Sequence, residues 1–166
     1  TDTMLWLTVQ GKCTDKQAAQ VVGEIADAAA KHDVKVALYP HHGFHVATAR
    51  DAHRITQLAN RKNLGLTFNL CHELRAGNAK DLPEIIRDVA PSLFLASING
   101  ADSEGSWDRL IRPLGEGSID VKQVVQHLQT AGYTGPIGLQ CYNVKGDQKG
   151  NLAASIKVWK QWSASP

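Results

Sequence analysis

Five short runs in this chain alternate apolar and polar side chains, and each turns polar toward its C-terminal end. They cover residues 4–10, 36–41, 66–72, 94–99 and 137–142. A strand sends successive side chains to opposite faces, so every run has two readable sides. One side is apolar: Leu5/Leu7/Val9, Val36/Leu38, Leu66/Phe68/Leu70, Phe94/Ala96/Ile98 and Ile137/Leu139/Cys141. The other carries Thr8/Gln10, Tyr39/His41, Thr67/Asn69, Ser97/Asn99 and Gln140/Tyr142. Parallel strands with helices on one side and a site on the other would read this way.

Helical patterns fill the gaps. Thr14 or Asp15 can cap a helix over 16–31, with Ala18, Val22, Ile25, Ala26 and Ala29 as its apolar stripe. Thr48 can cap a second that runs to residue 60, with Ala52, Ile55, Leu58 and Ala59 inward. Asp81 precedes Leu82-Pro83-Glu84, a proline in the first turn of a helix ending near Val89. Ser118 or Asp120 opens a fourth, stopped by Gly132, and Asn151 opens the last, which contains Leu152, Ile156, Val158 and Trp159. Strict βα alternation predicts a parallel sheet. A doubly wound sheet normally has strands apolar on both faces, whereas these are polar at one end of one face. The expected fold is therefore α/β, a partial (β/α)₈ TIM barrel. A whole barrel takes about 250 residues and eight units; five units are visible here, expected to be strands 4–8. The three remaining units are expected upstream or in another chain, because two open strand edges would favour association.

The 166 residues, 43% hydrophobic, suffice for one core, so residues 1–166 are read as one domain lacking its N-terminal units. A net charge of +2 argues against nucleic acid as a partner. No run of eighteen apolar residues suggests a membrane span, and no secretory signal is visible. The compartment, cytoplasm or periplasm, stays open. Cys13, Cys71 and Cys141 read as unpaired packing residues, Cys71 facing inward and Cys141 outward.

In barrels of this kind the chemistry sits at the C-terminal strand ends and in the loops after them. That selects Gln10, Tyr39, His41, His42, Asn69, His72, Glu73, Ser97, Asn99, Arg112, Glu116, Gln140 and Tyr142. Individually each has a bland explanation, such as a small interior filler or a satisfied hydroxyl. His45 and His53 read as loop and helix-face residues without a role. Five strands placing amides, hydroxyls and imidazoles at one end is costly without a use.

The stretches V-A-L-Y-P-H-H-G-F (36–44), G-L-T-F-N-L-C-H (65–72), P-L-G-E-G-S-I-D (113–120) and G-Y-T-G-P-I-G-L-Q (132–140) resemble the sugar phosphate isomerase/epimerase superfamily. These are xylose isomerase-like TIM barrels, and the resemblance covers essentially the whole chain. The G-x-G-x-[IV]-D segment with its helix, A-G-Y-x-G and strand is the most specific part. The similarity is nearest to a bacterial branch bearing L-Y-P-H-H-G and G-L-Q-C-Y.

The resemblance implies a divalent ion, often manganese, held by Glu, Asp, His and Glu at four strand ends, two of them also serving as acid and base. At those positions this sequence has Tyr39, Asn69, Ser97 and Gln140. It implies a substrate-binding histidine at His72 and an arginine at Arg112. Neutral amides compete poorly with water for hard divalent ions and do not titrate near neutrality. Catalysis is therefore expected from His72, His41 and Glu73, which would also be the ligands of any metal, manganese or zinc. Substrate binding is expected from Tyr39, His42, Asn69, Ser97, Asn99, Arg112, Gln140 and Tyr142, with Trp6 as a further aromatic wall. The expected function is sugar isomerase- or epimerase-like action on a carbohydrate. The alternatives are a non-catalytic carbohydrate-binding pseudoenzyme and a lyase or hydrolase using histidines. DNA repair, known among endonuclease relatives, would need several zinc ligands and a basic cleft, which the sequence does not offer.

Overall fold

A computed structural model describes residues 3–163; the outermost limits of the domain, residues 1, 2 and 164–166, lie outside the described residues. Five strands, β1 (Met4–Leu7), β2 (Lys35–Leu38), β3 (Leu64–Asn69), β4 (Leu93–Ile98) and β5 (Ile137–Leu139), form one parallel sheet in sequence order. Between and after them run α1 (Asp15–Ala30), α2 (Ala49–Ala59), α3 (Leu70–Arg75), α4 (Leu82–Val89), α5 (Trp107–Leu110), α6 (Val121–Thr130) and α7 (Gln148–Ser163). The sheet curves into a half-barrel. Gln140, just past β5, reaches across its hollow to the Tyr39 hydroxyl just past β2. An untwisted open sheet would hold these ends three strand spacings apart.

Local chemistry sets most boundaries. Thr14 and Thr48 close capping boxes with Gln17 and Asp51, and the Asp120 side chain accepts from the Gln123 amide at the start of α6. The core lies between the sheet and its helices, around Phe68, Leu66, Ile55, Ile85, Ile86 and Leu128. Among the described residues no helix is long and apolar enough to cross a membrane.

Several expectations need correction. The strands stop one to three residues before the polar ends that the alternation assigned to them. Leu70-Cys71-His72 is the first turn of α3, because Leu70, Cys71 and Leu74 bury themselves at helical spacing directly after β3. The last helix starts at Gln148, where the Asp147 carboxylate accepts from the amides of Lys149 and Gly150. Leu58, expected inward, is 56% exposed. Leu5 and Trp6 on β1 are also exposed, since one side of that strand has no neighbour in the sheet.

The G-x-G segment is explained by close backbone approach. Gly117 has φ +96°, and a Cβ there would lie 2.1 Å from the Ala101 carbonyl oxygen. Backbone cannot yield as a flexible side chain does, so Gly117→Ala should lower stability by about 2–3 kcal/mol in urea unfolding. An unchanged midpoint would refute this account of the loop.

Candidate functional site

The hollow of the half-barrel opens at the C-terminal strand ends into a cavity of about 480 Å³. Tyr39, His41, Cys71, His72, Trp107, Ile111, Gln140, Tyr142 and Asn143 line it. Its walls are aromatic. Trp6 stacks on Tyr39 with ring centroids 5.5 Å apart, and Tyr39 and Trp107 flank the His72 ring at 5.9 and 5.4 Å.

The loop after β2 positions the imidazoles. The His41 amide donates to the Val46 carbonyl, and Phe44 stacks on the His41 ring at 4.3 Å. His45, expected to be idle, ties this loop to α1 through Asp15, 3.0 Å away. The rings of His41 and His72 lie 4.5 Å apart. Hydrogen bonding fixes their tautomers. The His42 backbone amide donates to His72 Nδ1 at 3.2 Å, so a neutral His72 carries its proton on Nε2. His41 Nδ1 lies 3.1 Å from the His42 carbonyl oxygen and donates to it, leaving Nε2 as the basic nitrogen. The backbone of one residue, His42, thus polarises two imidazoles in opposite senses.

His72 is 5% exposed, and burial, reinforced by the charges of His41 and His42, pushes its pKa down from 6.5 to about 4. The folded state therefore resists a proton that the unfolded chain accepts below pH 6.5. Stability should be unaffected above that pH, fall by roughly 2–3 kcal/mol as pH drops toward 4, and level off below. The difference between wild-type and His72→Gln unfolding curves isolates this contribution; parallel curves from pH 7 to 4 would contradict the burial argument.

Asn69 and Ser97 sit level on β3 and β4, both buried at the strand ends. The Asn69 amide influences the Tyr39 hydroxyl, whose pKa is raised chiefly by burial. Yet among the described residues neither Asn69 Nδ2 nor Oδ1 makes a hydrogen bond of good geometry. A buried amide with four empty hydrogen-bonding positions is unusual. Gln140 Nε2 donates to Tyr39 Oη at 3.4 Å, while its Oε1 accepts from the Tyr142 amide at 3.0 Å.

The remaining candidates take other places. Glu73 does not join the histidines. Fully buried, its carboxylate accepts from the Ala49 amide at 2.6 Å and from Asn78 Nδ2 at 2.7 Å, and so caps α2. Burial raises its pKa, opposed by those two hydrogen bonds. The expected His41–His72–Glu73 metal set is therefore not assembled, and among the described residues no three His, Cys, Asp or Glu side chains are grouped to hold an ion. Asn99 is buried and donates to the carbonyls of Gly100 and Leu110, which holds the following loop in place of a ligand. Arg112 is paired with Asp102 and Glu116 and lines a neighbouring cavity of about 270 Å³ with Gln140 and Asn151. The His42 ring lies 6.2 Å from Trp107. Tyr142 stands exposed at the rim.

The strand-end rule does not select Trp107, because it lies nine residues beyond the end of β4 in a polar loop. A lone tryptophan among Ser, Glu, Gly and Asp was the available signal.

The family model for xylose isomerase-like TIM barrels matches residues 8–162. An uncharacterised protein of Methanocaldococcus jannaschii is 25% identical over 144 residues, covering 85% of this chain and 48% of that protein. Two solved structures share the fold. The IOLI protein with a binding zinc atom aligns over 96% of this chain and 62% of its own, with TM-score 0.76 and 20% identity. L-ribulose 3-epimerase aligns over 95% and 61%, with TM-score 0.76 and 15% identity. The chain thus spans about half the length of its curated relative and some three-fifths of these structures.

Proposed function

The chain belongs to the xylose isomerase-like TIM-barrel family, and from that premise we propose that it acts on a carbohydrate as an isomerase or epimerase whose proton transfers use imidazoles. The observation that carries this reading is the opposed polarisation of the two cavity histidines. His72 Nε2–H is a donor for a sugar oxygen and His41 Nε2 an acceptor for a proton, from rings 4.5 Å apart. A carbon acid beside a carbonyl needs both at once, a base for its C–H and a donor for the developing oxyanion.

Tyr39, Asn69, Ser97 and Gln140, where the family would hold its ion, supply amides and hydroxyls. Such a donor set does not fit a hard divalent cation. It does fit sugar hydroxyls, each of which both donates and accepts, and the aromatic walls suit the apolar faces of sugar C–H groups. The neutral amides of Asn69 and Gln140, which do not titrate near neutrality, favour a second reading, a binding module that keeps the carbohydrate pocket without turnover.

We also propose that further βα units, preceding this segment or in another chain, cover the open side. Exposed Leu5 and Trp6, an apolar groove of about 310 Å³ between β1 and α1, and exposed Leu152 and Ile156 on α7 support this placement.

The deciding experiment follows exchange of carbon-bound hydrogen in ketoses in D₂O by NMR, with chelator or with manganese. Exchange that survives the chelator and falls about 100-fold in His41→Gln supports the imidazole enzyme. A strict manganese requirement would refute it. Sugar binding with no exchange would select the binding module.

A further inference from the structure

We propose that the cavity selects an uncharged ligand over its phosphate ester, and that Trp107 lies against the ligand's apolar face. This rests on the carbohydrate reading and narrows it to free sugars or polyols. No described residue lining the cavity is an Asp, Glu, Lys or Arg. The nearby guanidiniums are engaged elsewhere. Arg75 donates to the Gly105 carbonyl at 2.9 Å and lies over the Trp107 ring at 5.6 Å. Arg109 and Arg112 share the Asp102 carboxylate at 2.8 and 3.4 Å, and Arg112 also binds Glu116 at 3.0 Å. Asp102 and Glu116 thus balance Arg109 and Arg112, while the Arg75 guanidinium is turned to the Gly105 carbonyl. A phosphate dianion seated against these residues would lose hydration without gaining a counter-charge from the lining, which is strongly unfavourable. A hydroxyl loses less, and the Tyr39, Gln140 and His72 groups replace its water.

Trp107 is the wall that the loop after β4 contributes. Although α5 has only four residues, the ring is held half-buried by Arg75 and by the edges of His42 and His72. Trp107 and Tyr39 each meet the His72 ring edge-on, and Trp6 stacks on Tyr39, so a ring or extended carbon chain over His72 has aromatic side chains beside it. The loop itself is fixed by Asp102, which accepts from the Ser118 amide, and by Asn99.

The test pairs free ketoses, L-ribulose and D-fructose, with their monophosphates, and adds inorganic phosphate. Binding is read by calorimetry, tryptophan fluorescence and the His72 ring resonances. We expect a free sugar to bind at least about tenfold more tightly than its phosphate, with phosphate at tens of millimolar leaving His72 unmoved. Trp107→Ala should weaken the sugar about tenfold and Trp107→Phe less than about threefold, the latter also reducing the fluorescence response to what Trp6 reports. Equal or tighter binding of the phosphates, or a His72 shift on adding phosphate, would overturn this inference and leave the carbohydrate reading standing. Failure of both members of every pair would overturn the carbohydrate reading and this inference with it. Full affinity in Trp107→Ala would remove the role of that residue.

Discussion

Replacing Asn69 by Asp together with Gln140 by Glu is expected to raise manganese affinity about 1000-fold. Both residues stand at strand ends near the Tyr39 hydroxyl, to which Gln140 donates at 3.4 Å and whose acidity the Asn69 amide influences. Exchanging amide for carboxylate leaves the shape almost unaltered and adds two anionic oxygens to a cavity without a counter-charge. Asn69 is 1% exposed, so its carboxylate would be poorly hydrated. Two such charges repel in the empty protein and lower its stability; a divalent cation removes the repulsion and stabilises by mass action. The double variant should therefore melt below the wild type without metal and regain most of the difference in manganese. Electron paramagnetic resonance counts the bound ion directly. An unchanged affinity would break the assignment of these residues to the family's ion positions.

Glu73→Ala is the largest stability loss expected, about 4 kcal/mol. The carboxylate is fully buried and accepts from a backbone amide and a side-chain amide, so its removal strands two donors away from water. It also takes an anion from the N-terminus of α2. Glu73→Gln keeps an acceptor for Ala49 and should cost less than half as much. Urea unfolding measures both. Ligand binding by whatever Glu73→Ala protein remains folded should be unchanged. Weakened binding at wild-type stability would return Glu73 to the cavity and refute the capping role.

This second case marks where reading along the chain reaches its limit. Glu73 follows His72, and treating 66–72 as strand placed both at the mouth of the barrel. The switch to helix at Leu70 sends His72 into the cavity and Glu73 behind it, toward Ala49, a residue 24 positions earlier. The same holds for Asn99 and Arg112. Residue type and position at a strand end made them candidates, and their partners, Leu110, Asp102 and Glu116, engaged them in the loop. Trp107 shows the reverse, a site residue whose place depends on Arg75 and on the fold of the loop around Asp102.

By itself the sequence determined the five strands, their parallel order, five of the helices with the Thr48 cap and the choice of caps narrowed to Thr14 or Asp15 and to Ser118 or Asp120, and the family. Those features rest on side-chain periodicity and on hydrogen bonds between residues three apart, which the chain encodes locally. Tertiary structure alone decided which polar groups face the cavity and which are consumed in holding loops. That choice depends on contacts between residues tens of positions apart, such as Gln140 with Tyr39 and Glu73 with Ala49. A buried polar group goes wherever it finds a hydrogen-bond partner, and only the folded chain says which partner is near.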